Sequence, residues 1–145
     1  MRKFEFHLQK ILDMKEKKRE QEEWNYTKIL HHLLEEKDRL TELMNQKNKL
    51  QEEIILHQRQ GILINQIHQS QDYLSYLEVL IEQKKQNVKK VEEELSIKQK
   101  KLQELKIDEK IWTNLREKKW QEFVIENNRL EQKELDELVT QRTYV

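Results

Sequence analysis

An all-α fold, a long antiparallel two-helix coiled-coil hairpin, is predicted by three observations on this chain of 145 residues. One glycine and no proline are present, so the backbone conformations from which turns are built are scarce. Apolar residues return every seven positions through the second half, as a coiled-coil seam requires. Charged residues reach 39% at zero net charge beside 35% hydrophobic residues. Regular Leu, Ile and Val with balanced charge do not suit a solvated coil. A single coiled-coil domain over residues 1–145 is therefore expected.

The first helix is expected over about residues 3–60, on a loosely spaced stripe: Phe4, Leu8, Ile11, then Tyr26, Ile29, Leu33, Leu40, Leu43, Leu50 and Ile54. Between its two parts lies KEKKREQEE, residues 15–23, without one apolar side chain. Ion pairs four residues apart can keep it helical, and a solvated, weakly held face is expected there. The reversal is expected within residues 61–72. Either Gly61 ends the first helix or Ser70 caps the second, and composition leaves both open.

The second helix is expected over about residues 70–140. Leu74, Ile81, Val88, Leu95 and Leu102 fill the first heptad position; Leu77, Lys84, Val91, Lys98, Leu105 and Trp112 fill the fourth. The two lysines weaken the seam yet help specify its register, their stems packing while the ammonium groups reach out. Residues 1–30 carry net +2 and residues 121–145 net −3, which favours antiparallel ends by a modest, salt-screened amount. A turn near residue 63 sets Ile11 beside Leu115 and Phe4 beside Phe123. Beyond about residue 125 the second helix then has no partner strand. Leu130, Leu135 and Leu138 would stand exposed beside Glu131, Glu134, Asp136 and Glu137. Those acids lie in the last turns of a helix, where its dipole disfavours negative charge, so a docking role explains them better than local stability.

Chemistry is sparse. No cysteine and no glycine-rich phosphate loop is present. His31 and His32 point apart on a helix, and His68 with Asp72 supplies only two ligands, so solvated histidines and no metal or cofactor are expected. Carboxylates on a hairpin have no enclosed pocket to shift them, and no enzyme is expected. Basic runs such as KKQNVKK are each closely followed by glutamates, which reads as a solvated coil face with no nucleic-acid partner. The N-terminal MRKFEFHLQK lacks a signal peptide's apolar core, and no apolar run approaches the roughly 20 residues that span a bilayer. A soluble intracellular chain, monomeric alone and without membrane insertion, is expected. One apolar feature exceeds what the seam needs: Tyr73, Leu77, Leu80 and Lys84, broadened by Tyr76, form a second stripe that either packs on the turn region or receives a partner.

The N-terminal FEFHLQKILDMKEKKREQEE, the tyrosine before YLEVLIEQ and the closing NRLEQKELDEL together resemble the FliJ family over essentially the whole chain. That family is a small coiled-coil component of the bacterial flagellar type III export apparatus. The resemblance implies an antiparallel coiled coil similar to part of the gamma subunit of rotary ATP synthases. It implies that the paired chain ends enter the central pore of the hexameric export ATPase and promote ring assembly, with Gln132, Lys133, Asp136 and Glu137 at the contact and Phe4 and Leu8 nearby. It implies a second contact, with the transmembrane export gate, through Tyr73, Leu77, Leu80 and Lys84. Free export chaperones are further partners of the family, to which no residue here can be assigned. A cytoplasmic place, peripheral to the inner face of the membrane at the flagellar base, follows by the same analogy. The other readings are a structural coiled-coil scaffold, a helical-hairpin export chaperone, and the equivalent stalk of a virulence type III system.

Overall fold

The computed structural model describes residues 2–61 and 63–143. Two helices, α1 (Gln9–Gln60) and α2 (Ile64–Thr143), pack against each other in antiparallel sense, with no strand among the described residues. Gly61 ends α1 with φ +77°, a left-handed conformation that other residues adopt at a cost. The Leu63 carbonyl accepts from the Gln66 and Ile67 amides at 3.0 and 3.4 Å, which starts α2. The reversal is thus shorter than the span 61–72 drawn from composition. Ser70 lies inside α2, half-buried, and caps nothing, because no Gly or Pro after Gly61 interrupts the helix.

The packing divides into two units, Glu23–Lys101 and Met1–Glu22 with Leu102–Val145. In the first, Leu33, Val88 and Val91 form a buried cluster covered by Ile29, Leu40 and Leu95. Leu77, only 1% exposed, and Ile81 continue the seam toward the reversal. Every heptad position that the second half proposed here, from Leu74 to Lys98, is buried or half-buried. The α1 stripe proves equally regular. Residues 26, 29, 33, 36, 40, 43, 47, 50 and 54 are all withdrawn from solvent at alternating spacings of three and four. It looked irregular because Glu36 and Lys47 occupy seam positions that an apolar count passes over.

Those polar seam residues are answered across the interface. Lys84 Nζ donates to Glu36 Oε2 at 2.7 Å, and Lys47 reaches Glu78 at 3.7 Å. Lys37 pairs with Glu92 at the flank, 3.4 Å away. Glu36 is buried, and the hydrogen bond from Lys84 holds its carboxyl below the usual carboxylate range, against a desolvation that pushes the other way.

In the second unit Phe6, Leu12 and Leu102 are buried. Here the polar block 15–23 meets α2: Lys15 pairs with Asp108 at 2.6 Å and Arg19 with Glu109, both partly withdrawn from water. The expected weakly held, solvated face is therefore corrected to an ionic seam for the part that faces α2. Leu105 and Trp112, the last two heptad positions read from sequence, are half-buried here. Residues 2–8 precede α1 without helix, where a helix from residue 3 was expected. The reason is legible in FEFHL: Phe4, Phe6 and Leu8 alternate with Glu5 and His7, a period of two that no helix keeps on one face.

Candidate docking surfaces

The chain-end residues lie in one unit and begin with an aromatic cluster. Phe4 sits 5.2 Å from Trp120, edge to face, and 5.4 Å from Phe123, while Trp120 stacks on Phe123 at 5.9 Å. The Arg116 guanidinium lies over the Phe4 ring at 5.6 Å, and Arg116 Nε donates to Gln9 Oε1 at 3.0 Å. The expected neighbourhood of Phe4 and Phe123 is present. Phe6, which the stripe omitted, is more buried than Phe4 or Leu8; its signal was the same alternation that delays the start of α1. Phe4→Ala should cost about 1–2 kcal/mol through lost burial and two ring contacts. Urea unfolding followed by tryptophan emission measures this, and a cost near zero would show that the segment is only loosely seated.

Past this cluster α2 loses its cover by steps. Leu130 is half-buried, contrary to the expected exposure, whereas residues 131–143 are all exposed. Gln132 Nε2 donates to Asp136 Oδ1 at 3.3 Å, and the Thr140 hydroxyl donates to the Asp136 carbonyl at 2.8 Å. Lys133, Asp136, Glu137, Thr140 and Gln141 line a shallow surface cleft. Beside them Leu135, Leu138 and Val139 are 57–63% exposed, Val139 being an addition to the sequence-based set. Upstream, Arg129 pairs with Glu126 at 2.8 Å, and its hydrogen bond holds that carboxyl below the usual range. Phe4 and the acidic stretch do not converge on one point. Phe123 and Gln132 are nine residues apart on one helix, about 14 Å along its axis.

The mid-chain stripe sorts differently. Tyr73 is half exposed, its ring 6.3 Å from that of Tyr76, which is also exposed. Leu80 is half-buried. Leu77 is the most deeply buried large side chain, and Lys84 is engaged with Glu36 in the seam. Leu77 and Lys84 thus face α1, and only Tyr73, Tyr76 and part of Leu80 offer surface. Away from both sets, Trp24 stands exposed under the Lys28 ammonium, 3.5 Å from its ring centre. No group of three or more His, Cys, Asp or Glu suited to a metal occurs among the described residues, and no helix there is long and apolar enough to cross a membrane.

Seams tied by ion pairs, with apolar and acidic side chains left outward on single helical faces, define a coiled-coil hairpin protein with open contact surfaces. The family model described as Flagellar FliJ protein matches residues 4–145. A curated relative, the Flagellar FliJ protein of Bacillus subtilis (strain 168), is 25% identical over 135 residues, covering 93% of this chain and 92% of that protein. No solved structure matches. The chain belongs to the FliJ family, a component of the flagellar export apparatus.

Proposed function

We propose that this chain is a non-enzymatic part of flagellar protein export that binds the central pore of the hexameric export ATPase, promotes its assembly and couples it to the transmembrane export gate. The observation that carries the ATPase contact is the exposed helix at 131–143, acidic against its own dipole and bearing uncovered Leu135, Leu138 and Val139. Gln132, Lys133, Asp136 and Glu137 are assigned to that contact. Phe4 supports it from the aromatic cluster, and Leu8 from the start of α1, where its carbonyl accepts from the Ile11 and Leu12 amides, rather than by direct contact. The gate contact is assigned to Tyr73, Tyr76 and the accessible edge of Leu80; Leu77 and Lys84 hold that surface in place from the seam.

Replacing Gln132, Asp136 and Glu137 together by Ala should leave helicity intact, since Ala is the strongest helix former. It removes three exposed contacts of about 1 kcal/mol each, so ATPase affinity should fall roughly tenfold to a hundredfold. The measurement is stimulation of ring formation and ATP hydrolysis by the cognate export ATPase as the purified chain is titrated. Equal stimulation by wild type and triple variant would sink the assignment.

A further inference from the structure

We propose that α2 carries a second seam on its outer face, through which two copies of this chain pair antiparallel along residues 104–142. Alternating steps of three and four from Glu104 to Arg142 reach twelve positions of the helix, and every one is exposed. They follow the positions that face α1 by two residues, which turns them about 200° away from it. Five of the twelve carry large apolar side chains, Ile107, Ile111, Ile125, Leu135 and Val139, all 57–69% exposed. A helix that buries one face in a hairpin needs no second stripe of the same period on its back.

The order of side chains along the stripe names the occupant. Reversed against itself about a two-fold axis at residue 123, the stripe sets Glu104 opposite Arg142, Ile107 opposite Val139, Ile111 opposite Leu135 and Asn114 opposite Gln132. Lys118 then faces Asn128, and only Gln121 opposite Ile125, beside the axis, joins unlike partners. Each layer is made twice, as a self-complementary patch requires. A slide of one heptad sets Ile111 opposite Asn128 or Arg142, and parallel pairing in register sets Glu104, Lys118 and Arg142 each against its own kind. Charge agrees with the antiparallel register. Residues 106–119 hold five basic and three acidic side chains, net +2, and lie against residues 127–140, with two basic and four acidic, net −2. Two of the three acids, Asp108 and Glu109, are already paired with Lys15 and Arg19 of their own chain. Only an identical partner requires a stripe that reads alike from either end. Acids do meet at the flanks, Glu117 with Glu131 and Glu122 with its own copy, so the association is weak and reversible. It covers residues 131–142, so pairing and pore entry exclude each other; that consequence rests on the pore reading, whereas the pairing itself does not.

The test uses the full chain without the ATPase, so its failure is separate from any failure of the pore assignment. In sedimentation equilibrium the mass should rise with concentration from 18.1 kDa toward twice that value. I111Q/L135Q should raise the dissociation constant at least about a hundredfold, because four apolar layers lose a side chain. E104R, which faces Arg142, should weaken association severalfold, and E104R/R142E should restore it. All of these positions are exposed in the single chain, and circular dichroism checks that the variants stay helical. The chain has no cysteine, so introduced ones report the register. N114C mixed with Q132C should form a disulfide between copies on mild oxidation, whereas each alone should not, since like positions stand about 27 Å apart along the axis. A wild type that keeps the mass of one chain while the mixture fails to crosslink overturns the proposal. So does equal association of I111Q/L135Q, which would place the contact elsewhere, and so does N114C that crosslinks to itself as readily as to Q132C.

Discussion

Leu77→Ala is expected to destabilise the Glu23–Lys101 unit by about 2–4 kcal/mol, the largest effect of any single truncation there. Leu77 is the one large side chain in the described residues that is essentially sealed from solvent. A two-helix seam has no third layer to close over a lost side chain, so both the transfer free energy and the residual cavity count against the variant. Urea unfolding at fixed protein concentration, read by ellipticity at several wavelengths, gives the value. A loss below about 1 kcal/mol would mean that the helices collapse onto the gap. The result also bears on the gate. Tyr73→Ala removes an exposed ring and should alter binding at unchanged stability. A binding defect of Leu77→Ala would follow from the loosened seam beneath the tyrosines.

Lys84→Ala is expected to cost about 2–3 kcal/mol, because it strands the buried Glu36 carboxylate. The value lies under that of a fully enclosed pair: Lys84 remains partly exposed, and Arg39 Nη1, 3.5 Å from Glu36 Oε1, takes up some of the charge. The pH dependence has a definite sign. The folded-state pKa of Glu36 is depressed, first by the Lys84 hydrogen bond, so its contribution is complete above the unfolded carboxylate pKa of about 4.3 and is lost as pH falls through the lower folded value. The gap between wild type and Lys84→Ala should therefore be widest at neutral pH and narrow in acid. Glu36→Leu combined with Lys84→Leu should be neutral or stabilising by about 1–3 kcal/mol, since both desolvation costs vanish. Matched urea titrations at neutral and acid pH measure all three, and a pH-independent gap would show that Glu36 is not the group responsible.

How far the sequence was legible depends on what filled each seam position. Heptads from Leu74 to Trp112 were read correctly because apolar residues dominate them, and the two lysines were placed by their neighbours. In α1 the same period was blurred by Glu36 and Lys47, whose seam role becomes visible only when Lys84 and Glu78 face them. The chemistry of a charged residue does not say whether water or an opposite charge will solvate it. The block 15–23 illustrates the same ambiguity: Lys15 and Arg19 found Asp108 and Glu109 on the other helix, a pairing no local pattern contains. The start of α1 was legible and overlooked, in the alternation of Phe4, Phe6 and Leu8. For the docking residues, exposure of the 131–143 stretch followed from counting unequal arm lengths. The mid-chain stripe mixed seam and surface, because Leu77 and Lys84 belong to both stripes and spacing alone cannot choose between them.

The single left-handed glycine has a consequence for how such a chain can change in length. Gly61 joins the two arms through a link too short to absorb slack, so the Glu36–Lys84 pair and the Leu33–Val88–Val91 cluster stand in one register counted outward from it. Seven residues removed from one arm alone would slide that arm by about 10 Å, bringing Val91 to where Lys84 now meets Glu36. Three or four removed would keep nearly the same face inward but exchange the first and fourth heptad positions and strain the supercoil, and one or two would turn a different face inward. Insertions and deletions in this unit are thus tolerated only as whole heptads matched on both sides of the glycine. Length here is quantised, and the quantum is set by the turn.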